Sequence, residues 1–159
     1  MVGTRKRDRE GIAKMPLKLS LKPHEKFVLN GAVIENGDRR STLVVQNHAA
    51  ILREREILQE SDATTPARRI YFPIMMMYLD PERIDAYYED FVVRMTEFMN
   101  ALTDPEILAT CVSISKEVMR GAHYKALIHA KKLFAYEDAR LNYVPSGLSE
   151  DAEDLQQSA

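Results

Sequence analysis

The 159-residue chain is 45% hydrophobic and 29% charged, ordinary values for one globular domain or two small units sharing a core. It lacks the roughly 18 consecutive apolar residues that a membrane-crossing helix needs, and its basic start is followed by no apolar segment, so neither a spanning helix nor a secretory signal is expected. The net charge of −2 hides a gradient: Lys and Arg exceed Asp and Glu by 5 to 2 over residues 1–14 and 9 to 7 over 15–79, but trail by 8 to 11 over 80–144 and 0 to 4 from 145 onward.

Residues 1–14, MVGTRKRDREGIAK, are polar, basic and aperiodic, which predicts a disordered extension. Patterned sequence begins at Met15, so Met15 is a candidate start, and a basic RNA-contacting arm is the alternative for what precedes it. Leu17, Leu19 and Leu21 alternate with Lys18, Ser20 and Lys22, the period-2 signature of a half-buried strand. Phe27-Val28-Leu29 ends in Asn30-Gly31, a dipeptide that tolerates positive φ and favours hairpins. Ala32-Val33-Ile34 follows, then Asn36-Gly37-Asp38 as a second hairpin signal. Leu43-Val44-Val45 and Ala49-Ala50-Ile51-Leu52 complete four or five short strands, expected to form an antiparallel meander over residues 15–60. So short a unit buries little surface and needs a dimer partner or a helical layer.

The polar loop Glu60–Pro66 leads into RRIYFPIMMMYL, residues 68–79. This proline-containing apolar run is expected to connect the two halves, giving a connecting segment over 61–79. A helical unit over 80–144 follows. Asp80-Pro81-Glu82 reads as a helix start, with Ile84, Tyr87, Tyr88, Phe91, Val92, Met95, Phe98, Met99 and Leu102 spaced by 3 and 4. Asp104-Pro105-Glu106 starts a second helix striped by Ile107, Leu108, Cys111, Ile114, Val118 and Met119, ended by Gly121. The third runs from about Ala122 to Arg140. Residues 145–159 are Ser-, Gln- and acid-rich, an expected disordered acidic tail.

No catalytic constellation emerges, so no enzyme is expected. His123 and His129 are six apart and do not share a helix face. Cys111, the single cysteine, lies on an apolar stripe and allows neither a disulfide nor a structural zinc site; no metal or cofactor is expected, and the expected compartment is the cytoplasm. The broad apolar stripe of the first helix leaves room for a partner helix against Tyr87, Phe91 and Met95. Lys18 and Lys22 share one strand face, Arg53 and Arg55 share a face where the strands end, and Arg39-Arg40 follow a turn. If first and last strands were neighbours, these six would line one edge with cations suited to phosphates and base edges.

The stretches MPLKLSLKPHEKFVLNGAVIENGDRRSTLVVQN, ILREREILQ, ATTPARRIYFPIMMMYLD and AHYKALIHAKKLFAYEDARL resemble the flagellar regulator family FlbT of alphaproteobacteria over about residues 15–143. TPARRIYFPIMMMYLDP carries the resemblance most specifically. It implies a post-transcriptional regulator that binds the 5′ untranslated leader of flagellin mRNA and reduces its translation or lifetime, although in some species the family is required for expression. The small flagellar protein FlaF is the counterpart it implies as partner.

The first half also resembles, more weakly, the carbon storage regulator CsrA. Pro23-His24-Glu25, Leu29-Asn30-Gly31 and Leu52-Arg53-Glu54-Arg55-Glu56-Ile57 occupy places like those of its turns and closing Arg-Glu-Glu-Ile segment, with His24 where that family has glycine. That resemblance implies a homodimer whose RNA site takes Lys22 before the turn and Arg53 or Arg55 at the close. The expected fold is α+β: a small antiparallel CsrA-like β-unit, then three helices. Flagellin mRNA leader is the expected partner of Lys18, Lys22, Arg39, Arg40, Arg53 and Arg55. The rival expectation is an adaptor or chaperone-like protein whose helices dock flagellin or FlaF.

Overall fold

Two compact units follow one another along the chain, the sequence boundary falling between Ile57 and Leu58. The computed structural model describes residues 16–142; the expectations for residues 1–14 and 145–159 lie outside the described residues.

In the first unit the alternating sequence forms β1 (Leu17–Leu21), β2 (Lys26–Leu29), β3 (Ala32–Glu35), β4 (Ser41–Val45) and β5 (Ile51–Arg53). β2 and β3 join through Asn30-Gly31, both with positive φ, 49° and 81°, the conformation a tight two-residue hairpin requires. The other strands do not form the expected meander. β1 pairs antiparallel with β4, and β2 lies between β3 and β5 in a separate sheet. Asn36-Gly37-Asp38 is therefore a crossover between sheets, not a hairpin. The inner faces meet through Leu21, Phe27 and Ile51, with Leu19, Leu29, Leu43, Val45 and Ala49 packed around them. Because side chains alternate, Lys18 and Ser20 lie on the face away from this cluster.

Among the described residues the second unit contains four α-helices where three were expected. The additional one is α1 (Pro66–Leu79), formed by the run read as a connecting segment. Pro73 sits inside it, but seven of its residues are buried, and that burial outweighs one missing backbone bond. α2 (Ile84–Asn100), α3 (Pro105–Met119) and α4 (His123–Leu141) follow. Pro81 opens a single 3-10 turn before α2 rather than α2 itself. α1 packs on both α2 and α4, and α4 on α3. Tyr71 lies 5.2 Å from Phe134 and Tyr78 lies 5.5 Å from Tyr124, ring to ring, so α1 and α4 run antiparallel.

Local chemistry fixes the helix ends. Asp104 accepts from the amides of Glu106 and Ile107 at the start of α3, and Gly121, at φ 74°, takes the left-handed position after its end. At the start of α1, Pro66 has no N–H, the Glu137 carboxylate accepts from the Ala67 amide at 2.8 Å, and the Thr65 hydroxyl accepts from the Arg68 amide at 3.4 Å. The first three helical positions thus leave no donor unmatched. The α+β class holds, and no helix among the described residues is long and apolar enough to cross a membrane.

Candidate nucleic-acid interface

The six cations named from the sequence fall into three settings. Lys18 is exposed on the outer face of β1, and Lys22 is exposed one residue past its end. Leu21 pairs with Ser41 at the end of the ladder; Lys22 directly follows the first and Arg40 directly precedes the second. Asn36 ties this corner together: its Nδ2 donates to the carbonyls of Lys22 at 2.7 Å and Arg39 at 2.9 Å, and its Oδ1 accepts from the Ser41 hydroxyl at 2.7 Å. Lys18, Lys22, Arg39 and Arg40 form no ion pair among the described residues.

Arg53 is in a different setting. Its guanidinium donates to the Ser20 carbonyl at 2.9 Å and pairs with Glu25 at 3.4 Å. Glu25 is itself largely buried and accepts from the Lys22 amide at 2.8 Å. Arg53 therefore staples the end of β5 to the turn after β1. The first and last strands are not ladder neighbours, as the cation edge required; the Arg53 side chain bridges them in addition to the packing of Leu21 and Ile51. Arg55 does not share a strand face with Arg53, because it lies in the 3-10 turn Glu54–Glu56, where it is exposed.

Asn36 and Glu25 are site-building residues that the sequence does not single out. Asn36 reads as part of a hairpin signal and Glu25 as part of the Pro23-His24-Glu25 turn; the distant partners Lys22 for Asn36 and Arg53 for Glu25 give them their roles. His24 is more legible in hindsight. It has φ 59°, the left-handed region that glycine enters most easily, at the position where the CsrA-like pattern has glycine.

The proposed helical docking residues are largely inward. Phe91 and Met95 are each 3% exposed and belong to the core, while Tyr87 is half-buried with Arg83 over its ring at 5.4 Å. α2 turns Tyr88, Val92 and Val93 outward instead. Cys111 is fully buried, and burial pushes its thiol up to about 11. His129 lies 2.8 Å from Glu117, and burial lowers the pKa of His123. Among the described residues no three metal-ligating side chains converge.

Fold and surface together define an α+β protein with a cation-bearing pair of small sheets and a separate helical unit. This chain belongs to the FlbT family: the family described as "Flagellar protein FlbT" matches residues 17–141. It is 61% identical over 130 residues to the "Probable flagellum biosynthesis repressor protein FlbT" of Caulobacter sp. strain K31, covering 82% of this chain and 99% of that protein. It is 58% identical over 135 residues to the "Flagellum biosynthesis repressor protein FlbT" of Caulobacter vibrioides, covering 85% and 96%. A Rhodopseudomonas palustris protein also named "Probable flagellum biosynthesis repressor protein FlbT" is 37% identical over 128 residues, covering 80% and 99%. No solved structure matches the chain.

Proposed function

We propose that this chain is a cytoplasmic repressor of flagellar gene expression that acts by binding the 5′ untranslated leader of flagellin mRNA. The relatives' names support the repressor role. RNA binding is supported chiefly by the corner where Asn36 holds the Lys22 and Arg39 backbones together, with Lys18 on the outer face of β1 and Arg40 directly before β4. Exposed cations without acidic partners keep their full attraction for phosphate, and arginine forks can also reach base edges. The contact set is Lys18, Lys22, Arg39, Arg40 and Arg55, with Arg53 positioning the β1 end through Ser20 and Glu25. No bond is made or broken: bound protein covers the leader and lowers translation or transcript lifetime. Among the described residues β3 pairs on one side only, and all four of its residues are exposed, which supports a homodimer.

The test is equilibrium binding of the flagellin leader RNA across a salt series. If five cations engage phosphates, the log–log slope should be about −3.5, and Lys22→Ala/Arg40→Ala should flatten it by about 1.4. Equal affinity and slope for that variant and the wild type would remove this corner from the interface. The excess of acids over cations in residues 80–144 favours a second reading, in which the helices dock FlaF or flagellin and act on expression indirectly. Co-purification of either protein without RNA would select it.

A further inference from the structure

The second unit contains a cavity of about 300 Å3 where α1, α2 and α4 come together. Phe98 and Leu102 give it an apolar wall, and Tyr136 and Glu97 together with Arg69, Arg94 and Arg140 supply its polar rim. The three guanidiniums are not equivalent. Arg94 pairs with Asp90 at 3.3 Å and Glu97 at 3.5 Å. Arg69 donates to the Ala63 carbonyl at 3.4 Å, and Arg140 lies over the Tyr136 ring at 5.4 Å. Neither Arg69 nor Arg140 forms an ion pair among the described residues. The Glu137 carboxylate that also borders the cavity is occupied by the Ala67 amide and Arg68. An apolar hollow beside two uncompensated guanidiniums suits a peptide that carries an apolar side chain next to acids.

We propose that the occupant is the chain's own segment Leu148–Leu155, LSEDAEDL, which docks in this cavity in cis. Charge complementarity is the first argument. The segment places Glu150, Asp151, Glu153 and Asp154 between two leucines, and residues 143–159 contain no Lys or Arg. Position is the second. Leu141 lines the cavity, and the segment starts seven residues further along the same chain. Those seven residues span at most about 25 Å, ample for a cavity at the end of α4. Tethering supplies an effective concentration on the order of millimolar, so a site with a Kd of about 0.1 mM would be filled about nine times in ten. A leucine fills the hollow, and the neighbouring acids meet Arg69 and Arg140. The segment lies beyond the family-matched residues 17–141, so its docking is an addition to whatever those residues do in common with their relatives.

The experiment uses the full chain and a fluorescein-labelled synthetic peptide of residues 143–159, read by fluorescence anisotropy. A full-length variant with Glu150→Gln, Asp151→Asn, Glu153→Gln and Asp154→Asn leaves the cavity unoccupied and should bind the peptide saturably. Wild type, whose own segment competes, should bind it at least tenfold more weakly. Adding Arg69→Ala and Arg140→Ala to the neutralised variant should cost at least tenfold in affinity, with an unchanged melting temperature showing that the fold is intact. Arg69→Lys and Arg140→Lys should restore part of the binding. Equal binding by wild type and the neutralised variant, binding unaffected by the arginine substitutions, or no binding to any form would each overturn the proposal.

Discussion

At the scale of single residues, His24 shows how a backbone conformation can be read as a chemical preference. Its φ of 59° is sterically costly for a residue with a Cβ, and its side-chain contact with Glu35 at 3.6 Å is exposed and worth little. The turn needs this conformation because the His24 amide donates to the Gly37 carbonyl and the Glu25 amide to the Lys22 carbonyl. Glycine in its place removes the steric cost while adding unfolded-state entropy, two effects of similar size. His24→Gly should therefore leave stability unchanged or raise it by up to about 1 kcal/mol, and His24→Ala should be less stable than His24→Gly by about 1 kcal/mol. Urea midpoints of the three proteins decide it; an alanine variant as stable as the glycine variant would show that the turn relaxes.

At the scale of elements, α1 depends on a side chain from another helix to complete its start. Glu137 is 7% exposed and serves the Ala67 amide, a group with no partner inside α1. Glu137→Ala should cost about 1–3 kcal/mol, the penalty for a buried donor left unmatched. Glu137→Gln keeps an acceptor but loses the charge that favours a helix N-terminus, and should lose about 1 kcal/mol. Denaturant titration with an unchanged m value is the measurement. Two variants equally destabilised would assign the effect to charge alone, and two unaffected variants would deny the contact its role.

The same scale shows what was legible in the sequence. β1 and the β2–β3 hairpin could be read because a period of two and an Asn-Gly pair are local signals. α3 was framed correctly by Asp104, Pro105 and Gly121, each acting on its own neighbours. α1 was not recognised as a helix, because seven of its fourteen residues are buried and so wide an apolar surface blurs the helical period, while Pro73 mimics a break. Sheet pairing was hidden for another reason. Asn36-Gly37 has the composition of a hairpin, yet its strand ends find partners in β1 and β2, a choice made by the packing of Leu21 against Phe27 and Ile51. For the same reason the candidate corner was readable as a set of cations, whereas the captivity of Arg53 by Glu25 was not.

At the scale of the whole molecule, the half-buried His123 and the buried Cys111 set opposite limits on stability. Burial lowers the pKa of His123 from 6.5, so the unfolded chain binds this proton more readily, and stability is lost as pH falls through about 6.5. Burial raises the Cys111 thiol from 9.0 to about 11, so the folded chain holds this proton more tightly. Stability is then lost as pH rises through about 9 and stops falling on this account near 11. Other groups titrate in the alkaline range, so the comparison must isolate the thiol. Replacing Cys111 with alanine removes its titration and leaves a small void whose cost does not vary with pH. The stability difference between wild type and Cys111→Ala should be constant below about pH 9 and should move against wild type between 9 and 11. The same burial keeps the thiol protonated and shielded, so iodoacetamide should label it only at the rate of unfolding. Fast labelling of the native protein at pH 8, together with a pH-independent stability difference, would mean that the α3 stripe opens to water and that Cys111 is not sealed in the core of the helical unit.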